Sequence, residues 1–390
     1  MKTKVDPIRL TMDMVAIPSY SFMENQEEAI SQYILDFFLE HGFTAYRTEI
    51  VPGRYNTVAI LEGTERETSP SLMLTGHMDT VPAYDFEKAF EPWEDAENVY
   101  GRGTVDMKGA LAAAMCAMVE IKESGTRLKG DLIFCGVADE EEAGIGTRSL
   151  IETGPEATYT VVGEPTDLHI ALGHKGLEWI EVTFKGKKVH GGAQEEGVNA
   201  IMMAGRFLQK LETEYLPKLA QRTHPILGKA TLNIGTITGG DQPSTVADHC
   251  SIRLDRRCLT SETIAQVYEE LQELIDQLHR EDPRFEAEIR DVFDGTTLPH
   301  IPFCTDADCP VVKAAENALR ACGEEPVVTY FPAWTDAGFI QAGTSSQCII
   351  LGPGGVATAH SVHEYISKKQ LRMAAEIYRS MAMEICQVDE

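Results

Sequence analysis

The chain is short of positive charge, of aromatic side chains and of any long apolar run. Against 61 Asp and Glu stand only 34 Lys and Arg, a formal charge of −27, and aromatics make up 7% of its 390 residues. Nucleic acid binders need a concentrated positive field to displace counterions from phosphate, so this balance argues against nucleic acid as a partner. No stretch approaches the roughly 18 to 20 apolar residues of a membrane helix, so no membrane association is expected. The first residues carry Lys2, Lys4, Asp6, Arg9 and Asp13, which leave no uninterrupted apolar segment for a signal peptide and make the cytoplasm the expected location. The cysteines, at 116, 135, 250, 258, 304, 309, 322, 348 and 386, are odd in number, scattered and without a C-x-x-C pair, which points to reduced thiols and indicates neither a disulfide framework nor a zinc ribbon. There is no G-x-S-x-G for a serine nucleophile, and the GIG at 144–146 lacks the third glycine of a dinucleotide fingerprint. Repeats of 20 to 50 residues and low-complexity tracts are likewise missing.

What is present is a globular composition, 43% apolar and 24% charged, in a chain long enough for two domains. Helical spacing over Asn25–His41, Gly109–Ser124, Pro310–Cys322 and Ser367–Cys386 alternates with short apolar runs at Thr57–Leu61, Ser71–Thr75, Asp131–Val137, Thr158–Val162 and Gln347–Leu351. That rhythm predicts an α/β domain with a mixed, mostly parallel sheet covered by helices. From Leu177 the order changes to a strand at Leu177–Phe184, a helix at Val198–Tyr215, strands at Ala230–Thr238 and Ala247–Asp255, a helix at Ser261–His279 and a strand at Phe285–Val292. This is the βαββαβ order of a ferredoxin-like unit. The predicted organisation is a first domain over residues 1–176, interrupted by an inserted domain over 177–293 and resumed over 294–390.

Several ligand-type residues follow the apolar runs, where α/β sheets carry their sites. His77 and Asp79 follow LMLTG, and two residues apart in an extended chain they point the same way. Asp106 is the one carboxylate at the centre of the turn GRGTVDMKG, which lacks the spacing of a phosphate loop. Asp139, Glu140, Glu141 and Glu142 follow the strand ending at Val137, and a solvated acidic loop is the ordinary reading of such a run. Glu164 ends the run at Val162, and His360 closes the glycine-rich GPGGVATAH. Taken alone, an H-x-D more often marks a surface turn than a site. Five ligand-type positions at the strand ends of one sheet instead suit two divalent ions, with one carboxylate bridging and another free to act as a base.

The order of LTGHMDTVP, GRGTVDMKG, DEE followed by GIGT, VVGEPT, VHGGAQEEGVNAI, LDRR and AHSVHEY resembles the M20 metallopeptidase family, which includes acetylornithine deacetylases, succinyl-diaminopimelate desuccinylases, glutamate carboxypeptidases and aminoacylases. The resemblance covers essentially the whole chain. It implies that His77 and Glu164 hold one metal, Glu141 and His360 the other, and Asp106 bridges them, while Asp79 hydrogen-bonds His77 and Glu140 is the general base. In the inserted domain it implies an oxyanion-stabilising role for His190, delivered by the partner subunit in dimeric members, and a substrate-carboxylate site at Arg257. Taken alone, His190 reads as a solvent-facing turn residue, and Arg257 as a partner for Asp255 or Glu262. Thr335 and Gly354 resemble positions lining the substrate pocket, and Trp334 is open between pocket and core. The chain departs from the family in reading Ser244-Thr245-Val246-Ala247-Asp248 where many members have N-x-x-P-D, and Gln194 where many have proline, so no role is carried over to Ser244. The implied activity is cleavage of the amide bond of an N-acyl amino acid or small dipeptide with a free carboxylate. The cofactor would be two divalent ions, zinc first, with cobalt or manganese also compatible. A homodimer is implied too. The competing readings are a dinuclear aminopeptidase or dipeptidase, and a non-catalytic binding descendant, against which all five ligand positions and the base are present.

Overall fold

The apolar runs become the strands of one large sheet. The computed structural model describes residues 5–293, 297 and 299–389. The strands Thr44–Val51, Arg54–Leu61, Leu132–Val137, Leu72–His77, Tyr159–Val162, Gln347–Ile350 and Ile170–His174 lie side by side in that order. The middle four are parallel to one another. Antiparallel pairings flank them, Arg54–Leu61 on Leu132–Val137 at one side and Ile170–His174 on Gln347–Ile350 at the other. Leu72–His77 and Leu132–Val137 are buried at every residue, as parallel strands covered on both faces must be. The helix Gly109–Glu123 runs beneath this sheet. Its first eleven residues are all buried, and their alanines let the backbone lie close.

The predicted helices appear within a few residues of expectation, as Glu28–Glu40, Gly109–Glu123, Pro310–Ala321 and Lys368–Ile385. Others are additional. Pro7–Val15 starts with proline at its first position and Asp6 accepting the Ile8 N–H as cap. Thr44–Val51 is an edge strand whose residues are all half-buried or exposed, so it carries no apolar run to betray it.

By contacts between backbones the chain divides into Met1–His174 with Cys304–Glu390, and Lys175–Phe303. The expected boundary residues 1, 294 and 390 lie outside the described residues. In the smaller unit the antiparallel sheet runs Thr231–Gly239, His249–Cys258, Gly176–Lys185, Glu286–Asp291. With the helices Ala200–Lys210 and Ile264–Glu281 between them in chain order, this is the ferredoxin-like arrangement. The predicted single helix over 198–215 begins two residues later because Asn199 caps it, its side chain accepting from Ile201 and Met202 N–H, and its last turn widens over Leu211–Tyr215. Phe184 stacks its edge or face against Phe207 at 5.6 Å and Phe285 at 5.8 Å, which packs both helical and strand layers on one face.

One close approach governs the loop after Leu132–Val137. A Cβ on Gly146 would lie 2.3 Å from the Ala138 carbonyl oxygen and 2.4 Å from its nitrogen. Asn56 ties the two positions, donating to the Gly146 carbonyl at 2.8 Å and accepting from Ala138 N–H at 3.0 Å. Gly146→Ala is therefore expected to cost about 1 to 3 kcal/mol. A lower urea midpoint with unchanged slope would register it, and an unchanged midpoint would contradict the close packing.

Candidate active site

His77 is the last residue of Leu72–His77, and its Nδ1 meets the backbone carbonyl of Asp79 at 2.9 Å. That bond turns Nε2 toward Asp106 Oδ1 at 3.0 Å and Glu164 Oε1 at 3.7 Å. The other Asp106 oxygen, Oδ2, lies 3.1 Å from His360 Nε2, which is also 3.1 Å from Glu141 Oε1. Asp106 thus stands between two imidazoles, each of which has its own glutamate. Glu140 joins the His77 side, where single donor atoms of His77, Glu140 and Glu164 all lie within 4.8 Å of one another.

The placement at strand ends holds for His77, Glu140, Glu141 and Glu164. It fails for the other two. Asp106 lies in the tight turn Thr104–Lys108 that opens the helix Gly109–Glu123, and His360 follows the short turn Val356–Thr358 with φ 59°. Glycine permits the Asp106 turn to form, because Gly103 precedes it with φ 86°. A Cβ on Gly76 would meet the Met107 Cε at 2.0 Å, so the strand lets this turn lie against it.

Burial and mutual pairing set the electrostatics of these residues. Burial pushes the Glu140 and Glu164 carboxyls well above the ordinary range, against the attraction of His77. Burial acts likewise on Asp106 but is outweighed by its bonds to His360 and His77, which hold it low. For His77, burial favours the neutral ring, yet the bond to Asp106 and the charges of Glu164, Glu140 and Asp79 hold its pKa well above 6.5. The bonds to Asp106 and Glu141 raise His360 to about 10. Two imidazoles and four carboxylates in this space therefore require positive charge, as bound protons or as cations. Hard oxygen donors with two imidazoles and a shared carboxylate fit divalent metal ions.

Asp79 behaves differently from expectation. Its carboxylate is 3.7 Å from His77 Nδ1, too far for a hydrogen bond, and accepts instead from the N–H of Glu140 at 3.2 Å and of Glu141 at 3.1 Å. Burial raises its pKa to about 8. Sequence reasoning also missed Asp139, which is buried rather than part of a solvated run. Its Oδ1 pairs with Arg54 at 2.6 Å, Arg54 pairs with buried Glu27 at 2.5 Å, and its Oδ2 accepts from Ala143 N–H at 3.2 Å. No local sequence signal marks it: its φ of 70° and its pairing with Arg54 are set by the fold.

His190 and Arg257 lie in the smaller unit. His190 is exposed, and its Nδ1 accepts from Gly192 N–H at 3.0 Å. Arg257 is ion-paired with Asp255 through Nε at 2.7 Å. Thr335 is fully buried and its hydroxyl accepts from Ala337 N–H at 3.2 Å. Gly354 is buried with φ 79°, and a Cβ there would strike Val105 Cγ2 at 2.3 Å. Neither of these offers a side chain to a pocket. Trp334 lies edge-on to His174 at 6.4 Å and to Phe339 at 5.2 Å, as a packing residue would.

The sequence profile of peptidase family M20/M25/M40 matches residues 73–384. An acetylornithine deacetylase of Myxococcus xanthus is 30% identical, with 98% of each chain covered. An N-formyl-4-amino-5-aminomethyl-2-methylpyrimidine deformylase of Bacillus subtilis is 28% identical, with 94% of this chain and 92% of that one covered. The fold is shared with the aminopeptidase PepT of Bacillus cereus (TM-score 0.83, 21% identity, 99% of each chain). It is shared also with an M20 metallo-carboxypeptidase, Sso-CP2, of Sulfolobus solfataricus (TM-score 0.79, 16% identity, 97% and 99% covered). The chain belongs to peptidase family M20/M25/M40 and is a metal-dependent hydrolase.

Proposed function

We propose that this protein is a two-metal amidohydrolase that removes a small acyl group from the nitrogen of an amino-acid-like substrate. The observation that carries this reading is Asp106, whose two oxygens face two different imidazoles at 3.0 and 3.1 Å. His77 and Glu164 would hold one ion, His360 and Glu141 the other, and Asp106 would be shared. Such a pair of divalent ions, with zinc favoured and cobalt or manganese compatible, lowers the pKa of water and polarises the scissile carbonyl. Glu140 takes the proton of the attacking water and delivers it to the leaving nitrogen, a role that suits a carboxyl whose pKa burial has raised. Asp79 holds the Glu140–Glu141 backbone in place for this. An acetyl or formyl group is the acyl portion that the names of the two relatives favour.

The inserted unit supplies the rest. His190 stabilises the oxyanion, a contribution of about 3 kcal/mol for one such donor. Arg257 grips the substrate carboxylate, and must release Asp255 to do so. That existing ion pair favours a second reading, a dipeptidase or aminopeptidase that does not depend on Arg257. The homodimer rests on the edge strand Thr231–Gly239, which exposes Ile234 and Ile237 and leaves a row of backbone groups open to a second copy. All nine cysteines are free thiols, which fits the reducing cytoplasm.

Dialysis against a chelator should abolish hydrolysis, and zinc, cobalt or manganese should restore it; full turnover by metal-free protein would end the two-metal reading. A screen of N-acetyl, N-formyl and N-succinyl amino acids beside free di- and tripeptides separates the two substrate classes, since only the second reading expects the peptides to win. Glu140→Ala should keep two metal equivalents and lower kcat by about a hundred-fold or more, whereas Glu141→Ala should weaken metal uptake. If both variants bind two metals and stay active, the division of labour is wrong. Inactive His190→Ala and Glu140→Ala proteins, mixed equally, should recover roughly a quarter of wild-type activity, because about half of the pairs are mixed and each has one intact site. Subunits that exchange yet recover nothing would remove His190 from the partner's site.

A further inference from the structure

Arg102 and Glu364 form a buried ion pair at 2.5 Å, exposed by 1% and 0%. Neither is among the residues assigned to metal or substrate above. Glu364 Oε1 accepts three backbone N–H groups in succession from the turn that carries Asp106, those of Gly103 at 2.8 Å, Val105 at 3.1 Å and Asp106 at 3.3 Å. Its Oε2 meets the Arg102 guanidinium, which donates onward to the carbonyls of His360 at 3.4 Å, Ser361 at 3.3 Å and Pro82 at 3.2 Å. Two side chains thus bind three segments: the Asp106 turn, the loop of His360, and the stretch that follows His77 and Asp79.

Stability is a poor reason for such a pair. Taking both charges out of water costs several kcal/mol, and apolar replacements of similar volume are often neutral or stabilising. The backbone around it, however, must be held. His360 sits at φ 59°, a conformation that a residue other than glycine keeps only where its surroundings over-determine it. Residues that fix the orientation of metal ligands typically change metal affinity by about 10- to 100-fold when lost.

We infer that Arg102 and Glu364 are positioning residues that lock Asp106 and His360 into register, so that the shared carboxylate and the second imidazole are presented together to the metal pair. The inference rests on the two-metal reading above. Its test is cobalt(II) titration of metal-free protein, followed by calorimetry and by the visible absorption of the bound ion. In Arg102→Met/Glu364→Gln the charges are gone while an amide oxygen still faces the turn. The expected outcome is a urea midpoint close to wild type with one of the two cobalt equivalents bound at least about tenfold more weakly and an altered visible spectrum. Arg102→Lys covers the case in which the double variant fails to fold: it keeps a cation opposite Glu364 but loses the fork that reaches His360 and Ser361, and should weaken the same equivalent. Two equivalents bound with wild-type affinity and spectrum by a folded variant would overturn the inference, as would equal weakening of both in step with a lower urea midpoint. Wild-type protein that takes up fewer than two equivalents would instead overturn the two-metal reading itself.

Discussion

Everything near the centre of the larger unit depends on one unfavourable crowding: four carboxylates and two imidazoles share one small space, buried at His77 and Glu164 and open to solvent at His360. Asp106 Oδ1 and Oδ2 contact different rings, and the glutamates beside them are buried. Burial first, and the like charges beside them second, push the Glu140 and Glu164 carboxyls upward, while neighbouring carboxylates, against burial, hold both imidazoles above their ordinary value. Bound cations would relieve that conflict. A fold that only sought stability would have no use for it.

The scaffold bears that crowding through buried polar ties rather than through apolar packing alone. Asp79 holds Glu140 and Glu141 by their backbone, Arg54 holds Asp139 behind them, and Glu364 holds the turn of Asp106. Lys108 does the same for the N-terminal segment, its buried Nζ donating to the carbonyls of Met14 at 3.1 Å and Ile17 at 2.8 Å, with a pKa pressed down to about 7 by burial. These are loops, and loops have no repeating hydrogen-bond ladder to fix them. Charged side chains with several bonds apiece take over that task.

This explains what could and could not be read from the sequence. The central strands and the long helices announce themselves because burial on both faces demands continuous apolar runs and because helical spacing is periodic. The residues facing the centre were legible as a set, since His77, Asp106, Glu141, Glu164 and His360 follow those runs or sit in glycine-rich turns. The supporting layer was not. Asp79 was expected on His77 and serves the next loop instead, Asp139 looked like one solvated acid among four, and Arg102 and Glu364 stand 262 residues apart in the chain. Contacts of that kind come from tertiary folding and leave no local pattern. Thr335 and Gly354 show the converse, where a position in a motif is occupied for packing: a fully buried hydroxyl already bonded, and a glycine demanded by the nearness of Val105.

The charge of the whole molecule sets the last constraint. At −27 the protein repels anions at a distance, so a substrate carrying a carboxylate gains nothing from the global field. Attraction has to be local. In the larger unit the cations Arg54 and Arg102 are already committed to Glu27, Asp139 and Glu364, and in the smaller unit Arg257 is committed to Asp255. Under the proposed reading, positive charge for an incoming anion would have two sources, ions held by Asp106 and its neighbours, and an arginine that first lets go of its own carboxylate. The second would be the weaker, because exchanging one carboxylate for another across a partly exposed pair gains little net energy. Under the two-metal reading proposed above, ions at that centre would supply the local attraction as well as the chemistry, because the one cation in the smaller unit offered for a carboxylate, Arg257, already has a carboxylate partner of its own.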